Sequence, residues 1–186
     1  MNKNVWGNED LIKTLLGGGV AVMPTDTIYG MVGKALDSRV VNHIYEIRSR
    51  APEKPCIILI SDIADIEKFG IKLTGDQKNI FEKYQEPTSL VLDCDNPAFE
   101  YLHRGTKTLA FRLPNKQELR ELLSKTGPLI APSANIEKFP QSESIEDARK
   151  YFGDNVDVYV DAGSVVSRAS KIIRLHPDGS VAILRE

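Results

Sequence analysis

The chain reads as an α/β protein: one domain, residues 1–186, in which a twisted mixed β-sheet carries flanking helices. Three observations predict this. Short apolar runs bounded by glycine or proline alternate with longer segments of helical periodicity, and the strands are separated sometimes by helices and sometimes by turns. No repeat, low-complexity tract or linker divides the 186 residues, a length that suits a single core.

The elements follow in order. Leu11, Ile12, Leu15 and Leu16 share one helical face, and Gly17-Gly18-Gly19 stops that helix. Val20 to Met23 is a buried strand that ends at Pro24, and the residues up to Gly33 read as a polar turn followed by a second turn. Ser38 is the expected N-cap of a helix with Val40, Val41, Ile44, Tyr45 and Ile47 on one stripe, ending in the basic turn Arg48 to Pro55. Cys56 to Ile60 reads as a fully buried strand. Short helices are expected up to Phe69 and over Gly75 to Tyr84, then strands at Thr88 to Leu92 and Thr108 to Leu113 with a loop between them. A helix from Asn115 to Lys125 stops at Gly127-Pro128. Leu129 to Ala131 is a short strand, Ile145 to Phe152 a helix, and Val156 to Val160, Lys171 to Leu175 and Val181 to Leu184 are strands, with Asp178-Gly179 as a hairpin turn.

Composition excludes several classes. At 41% hydrophobic and 27% charged, without an apolar run of membrane-spanning length, the chain has a soluble composition, and its N-terminal stretch lacks a signal-peptide core, so a cytoplasmic location is expected. A net charge of −2 argues against a dedicated nucleic-acid binder but leaves room for a local basic cleft. Cys56 and Cys94 stand alone and are expected as core thiols. His43, His103 and His176 lack ligand spacing, so no intrinsic metal site is expected.

The candidates for chemistry cluster in four places. Thr25, Asp26, Thr27 and Tyr29 put hydroxyls and a carboxylate at the end of a buried strand, where open α/β sheets hold ligands, although Thr25 and Asp26 are also good turn caps. Arg48, Arg50 and Lys54 suit phosphate oxygens, or form a solvated helix end. Arg112, at the end of an apolar strand, can take a carboxylate through its fork or reach to water. Ser133 and Asn135 follow another short strand and offer polar groups or an Asx turn. No GxGxxG occurs, and Gly30 to Ala35 mimics a P-loop with the wrong spacing.

In this order, Pro24-Thr25-Asp26-Thr27-Ile28-Tyr29-Gly30, Arg48-Ser49-Arg50 with Lys54-Pro55, Pro87 to Leu92, Thr108 to Pro114, Ser133-Ala134-Asn135, Ser170 and Leu184-Arg185 resemble the YrdC-like threonylcarbamoyl-AMP synthase family. The resemblance implies a YrdC-like sheet and an enzyme that joins L-threonine, bicarbonate and ATP into threonylcarbamoyl-AMP and pyrophosphate for the threonylcarbamoyl modification of tRNA. It implies Arg48 and Arg50 as catalytic residues, and Arg50, Lys54, Thr108, Ser133, Asn135, Gln141 and Arg185 as ATP contacts. Thr27, Arg112, Ala131 and Ser170 would hold L-threonine. Mg²⁺ would arrive with ATP rather than in a protein site, and tRNA or downstream tRNA-modification proteins are the implied partners, with no membrane.

The chain departs from the family pattern at several places. Arg48 replaces the usual lysine of Lys-x-Arg, Gln85-Glu86-Pro87 stands for Pro-Gly-Pro, Glu137-Lys138 for Ser-Gly, and Ser170-Lys171 for Ser-Thr. These leave two other readings open: an RNA-binding module of the same fold without catalysis, and a paralogue acting on a different amino acid or acyl group.

Overall fold

In the computed structural model, which describes residues 4–84 and 86–186, Asn8 caps helix α1 (Glu9–Leu16) by accepting from the Leu11 N–H. Leu11 and Leu15, one turn apart, are its buried residues. The chain then enters strand β1 (Ala21–Pro24) and, where a second turn was expected, returns as strand β2 (Tyr29–Lys34), antiparallel to β1 with Val22 opposite Met31. Gly30 and Gly33 hid this strand, because glycine weakens the pattern by which strands are recognised. Gly33 is there for close approach. A Cβ at that position would lie 2.5 Å from Val40 Cγ1 and 3.0 Å from Ile44 Cδ1 on helix α2 (Ser38–Ile47). The cap of α2 is Asp37, one residue earlier than expected, accepting from the Arg39 N–H.

Strand β3 (Ile57–Leu59) leads into a 3-10 turn, Ile63–Phe69, closed by a reciprocal capping box between Asp62 and Asp65. Helix α3 (Gly75–Lys83) and strand β4 (Thr88–Asp93) follow, and Gln85, one of the departures from the family pattern, lies outside the described residues. The expected loop before the next strand contains a 3-10 turn, Pro97–Phe99, and the one-turn helix α4 (Glu100–His103). Strand β5 (Thr108–Arg112), helix α5 (Gln117–Thr126), strand β6 (Leu129–Ile130), helix α6 (Ile145–Phe152) and strands β7 (Val158–Tyr159), β8 (Lys171–Leu175) and β9 (Val181–Arg185) complete the order. Gly179, at φ 79°, makes the β8–β9 turn.

The described strands form one mixed sheet in the order β7-β1-β2-β6-β3-β5-β4-β8-β9, parallel at β7–β1, β3–β5 and β4–β8. Period-two alternation sorts the side chains. Val22, Met31, Ile58, Phe111, Ile130 and Ile173 enter the larger core on one face, whereas Ala21, Met23, Val32, Leu59 and Leu129 pack on the other against Leu11 and Leu15 of α1 and Leu119, Leu122 and Leu123 of α5. That second core takes no residue from β5, β4, β8 or β9. The same face of β5 and β8 therefore carries Arg112 and Ile172 outside any helical cover, and this is where the site lies.

Gly33→Ala is expected to lower stability by about 1–3 kcal/mol, because the added methyl forces α2 away from β2. Gly75→Ala, where an added methyl would meet nothing within 4 Å, is the control and stays near wild type. Urea unfolding of both variants checks the claim, and an unchanged midpoint for Gly33→Ala would contradict the packing account.

Candidate active site

A cavity of about 160 Å³ opens on the uncovered sheet face. Its floor is Ile57, Arg112, Ile172 and Arg185, from four strands of the sheet. One wall is the β1–β2 turn with Thr25, Thr27 and Ile28; another is the segment after β6 with Ala131, Pro132 and Ser133; Arg50, Pro55, Cys56 and Ser170 complete the rim. The wall segments are locked to each other, since Met31 N–H donates to Pro132 O at 2.9 Å and Ala134 N–H to Tyr29 O at 2.9 Å.

The turn is built by Thr25. Its Oγ1 accepts from the Thr27 and Ile28 N–H groups at 3.2 Å each and donates to Ile28 O at 2.7 Å. The capping and cavity-lining readings of this threonine thus hold together. Tyr29 ties the turn to the loop before β8: its hydroxyl donates to Gly163 O at 2.8 Å and accepts from the Ala162 N–H at 2.9 Å. Burial pushes the Tyr29 phenol up from its ordinary value.

Arg112 is the most consequential side chain. It is 4% exposed, and its Nη2 lies 2.7 Å from Asp26 Oδ1, with both side chains almost fully covered. The contact has ion-pair distance but not hydrogen-bond alignment, and Arg112 Nε and both Asp26 oxygens have no hydrogen-bond partner. Burial pulls the Arg112 guanidinium down from its ordinary value, Asp26 opposes this, and Arg185 adds to it by like-charge repulsion. Arg185 is held in turn, donating from Nε and Nη2 to Ser170 O, while Ser170 Oγ pairs with Ser89 Oγ at 2.9 Å.

Of the residues picked out in the sequence, Thr25, Thr27, Arg50, Arg112, Ala131, Ser133, Ser170 and Arg185 share this cavity. Arg48 does not line it. The residue is 2% exposed, and its guanidinium donates from Nη2 to Ser133 Oγ and Asn135 Oδ1, both at 3.2 Å, leaving Nε and Nη1 without partners. Burial, with Arg50 second, pulls its pKa down to about 10, so it stays charged at neutral pH. The solvated helix end expected as one reading of Arg48 is therefore replaced by a buried cation that positions two polar residues.

Asn135 is also buried, its amide spent on Ile136 O and Phe139 O. Lys54 lies outside the cavity, paired with Glu137 Oε1 at 2.5 Å, and Gln141 donates to Ser167 O at 3.1 Å. Thr108 stands on the face of β5 that carries Arg112, four residues back and roughly 13 Å along the strand. Arg50 faces the cavity but donates to Lys54 O and Pro55 O at 3.0 and 2.8 Å.

Two residues have a place in the structure that the sequence does not show. Asp26 is a candidate in the sequence as the carboxylate at the end of β1 or as a turn cap, but nothing local reveals that the turn delivers it to Arg112, 86 positions later. Cys56 was read as a core thiol; it is buried but also lines the cavity. Among the described residues no group of three His, Cys, Asp or Glu side chains is placed to hold a metal ion, and no helix is long and apolar enough to cross a membrane.

The guanidinium groups of Arg112 and Arg185 from the sheet and of Arg50 from the turn after α2 line one small chamber, an arrangement of donors that suits an anion. The family model Sua5/yciO/yrdC, described as Telomere recombination, matches residues 13–186, and the chain belongs to that family. A Mycobacterium tuberculosis protein that carries the provisional name threonylcarbamoyl-AMP synthase is 28% identical over 163 residues, 87% of this chain and 75% of that one. A Methanocaldococcus jannaschii protein of the same provisional name is 29% identical over 176 residues, 94% and 83% of the two chains. That name denotes an enzyme of the nucleotidyltransferase type. The structure of Pyrococcus abyssi Sua5 complexed with L-threonine superposes with a TM-score of 0.84 at 25% identity, covering 94% of this chain and 52% of that one. The chain thus spans about half the length of that protein.

Asp26→Asn is expected to destabilise the fold by about 3 kcal/mol, because it leaves the Arg112 charge buried beside Arg185 without its counterion. Chemical denaturation measures this, and a loss under about 0.5 kcal/mol, typical of surface changes, would mean the pair is effectively solvated.

Proposed function

We propose that the protein is a threonylcarbamoyl-AMP synthase, forming threonylcarbamoyl-AMP and pyrophosphate from L-threonine, bicarbonate and ATP. One observation carries this reading: the amino-acid-sized cavity has the almost fully buried guanidinium of Arg112 in its floor. A carboxylate that reached it would be held away from water by a charge-assisted contact, in a chamber that Thr27 and Ser170 also line. The names of the M. tuberculosis and M. jannaschii relatives, and the L-threonine complexed with P. abyssi Sua5, agree with it.

A chamber of about 160 Å³ is too small for a nucleotide as well, since pockets for drug-sized molecules run from about 300 Å³ upward. The nucleotide would extend from the mouth, its phosphates toward Arg50, Lys54 and Ser133 and its remainder along the uncovered face of β5 toward Thr108. Mg²⁺ would come with the triphosphate.

In this reading the threonine amino group adds to bicarbonate with loss of water, giving a carbamate. A carbamate oxygen then attacks the α-phosphorus of ATP, and the bond to the β-phosphate oxygen breaks to release pyrophosphate. The chain's part is positioning and charge neutralisation, which is most of what phosphoryl-type transfer asks of a protein. Arg112 fixes the substrate carboxylate, Arg50 and Lys54 balance phosphate charge, and the chamber walls keep water from the labile carbamate. The product would be passed to a tRNA-modifying partner.

Pyrophosphate release from ATP is expected to require both L-threonine and bicarbonate; equal release with threonine omitted would sink the assigned reaction. Arg112→Lys retains a cation for Asp26 but loses the planar fork, so threonine affinity should fall by about tenfold or more. Calorimetric titration should show ATP affinity changing much less, and the opposite pattern would reverse the two subsites.

A further inference from the structure

Glu137 stands where the family pattern has serine, and the structure shows what its carboxylate does. Oε2 accepts from the Ala51 N–H at 2.7 Å and Oε1 from Lys54 Nζ at 2.5 Å, while the Glu137 N–H donates to Arg48 O at 3.0 Å. The loop after β6 is thereby clasped to the basic turn after α2. The carboxylate is largely covered, with its side chain 12% exposed, but the Lys54 side chain is 55% exposed. An anion from solution can therefore reach the ammonium from its open side. The Lys54 ammonium and the Ala51 N–H hold the Glu137 carboxyl below the usual carboxylate range, so it is charged at neutral pH.

An ammonium and an outward backbone N–H are the groups with which a protein holds phosphate oxygens. We propose that Glu137 is an internal competitor for the triphosphate: its carboxylate occupies Lys54 and the Ala51 N–H, and the affinity of this chain for ATP is set by how readily that carboxylate is displaced. The proposal rests on the nucleotide reading of Lys54 given above. It makes Glu137 a specificity-determining residue, since a ligand must bring more negative charge than one carboxylate to take its place. ATP and inorganic triphosphate do so, and a ligand bearing a single carboxylate does not.

The energetic scale is modest. A half-exposed ion pair together with one partly solvated hydrogen bond of ordinary net strength corresponds to an effect of about three- to thirtyfold on binding. Charge repulsion between Glu137 and the triphosphate acts in the same direction.

The test is calorimetric titration of wild type, Glu137→Gln and Glu137→Ser with MgATP, with inorganic triphosphate and with L-threonine. Gln keeps the shape and removes the charge; Ser removes both contacts and covers the case in which Gln misfolds. Both variants are expected to bind MgATP and triphosphate about three- to thirtyfold tighter, with threonine affinity unchanged. The gain should shrink in a Lys54→Gln background, because the competition runs through that ammonium. If wild type and variants bind MgATP equally, or the variants bind it more weakly, Glu137 is only a structural clasp and the proposal is overturned while the nucleotide reading stands. If none of them binds MgATP or triphosphate, the nucleotide reading of Lys54 falls as well.

Discussion

The charge of an arginine that is 4% exposed, beside a second arginine and on a sheet face without helical cover, is the constraint on which this architecture turns. Taking such a charge out of water is expensive unless an opposite charge accompanies it. Asp26 is that charge, and several features of the fold serve to bring it there. The β1–β2 hairpin reverses the chain over Thr25 to Ile28, the Thr25 hydroxyl holds the turn closed, and Tyr29 anchors it to the loop before β8. Arg112 comes from β5, three strands further across the sheet.

The other cations at and around the cavity are also held by internal oxygen atoms. Arg50 donates to the Lys54 and Pro55 carbonyls, Arg185 to the Ser170 carbonyl, Arg48 to Ser133 and Asn135, and Lys54 to Glu137. Long side chains lose much rotamer freedom when they bind, so fixing them beforehand lowers the entropic cost of binding an anionic ligand. The two kinds of partner act differently. A carbonyl orients a guanidinium without cancelling its charge, whereas the carboxylates of Asp26 and Glu137 orient and neutralise, and so compete with an incoming anion.

Much of the scaffold was legible in the chain because it rests on local patterns. The helical stripe of α2, the buried run around Ile58, the apolar alternation ending in Arg112 and the Asp178-Gly179 turn each fall where periodicity and turn chemistry put them. Strand β2 escaped because Gly30 and Gly33 broke its pattern: Gly33 answers to the Val40 and Ile44 side chains of helix α2, and a Cβ at Gly30 would lie 3.0 Å from Thr25 Cγ2 across the hairpin, approaches that only the folded chain creates. The short helix α4 escaped for a simpler reason: four residues are too few for a period to show.

The order of strands and helices, the family membership and the set of polar residues near the site were determined by the sequence, since each depends on residue types at short separations. Which of those residues act together was decided by tertiary structure. Arg48 and Arg50 are two positions apart, yet one is buried behind Ser133 and the other faces the cavity, because the chain turns through Ser49 at φ 48° between them. Asp26 and Arg112 are far apart in the chain and 2.7 Å apart in space. Coulomb interaction depends on distance and on exclusion of water, and both are set only when the sheet brings β1, β5 and β8 into one surface.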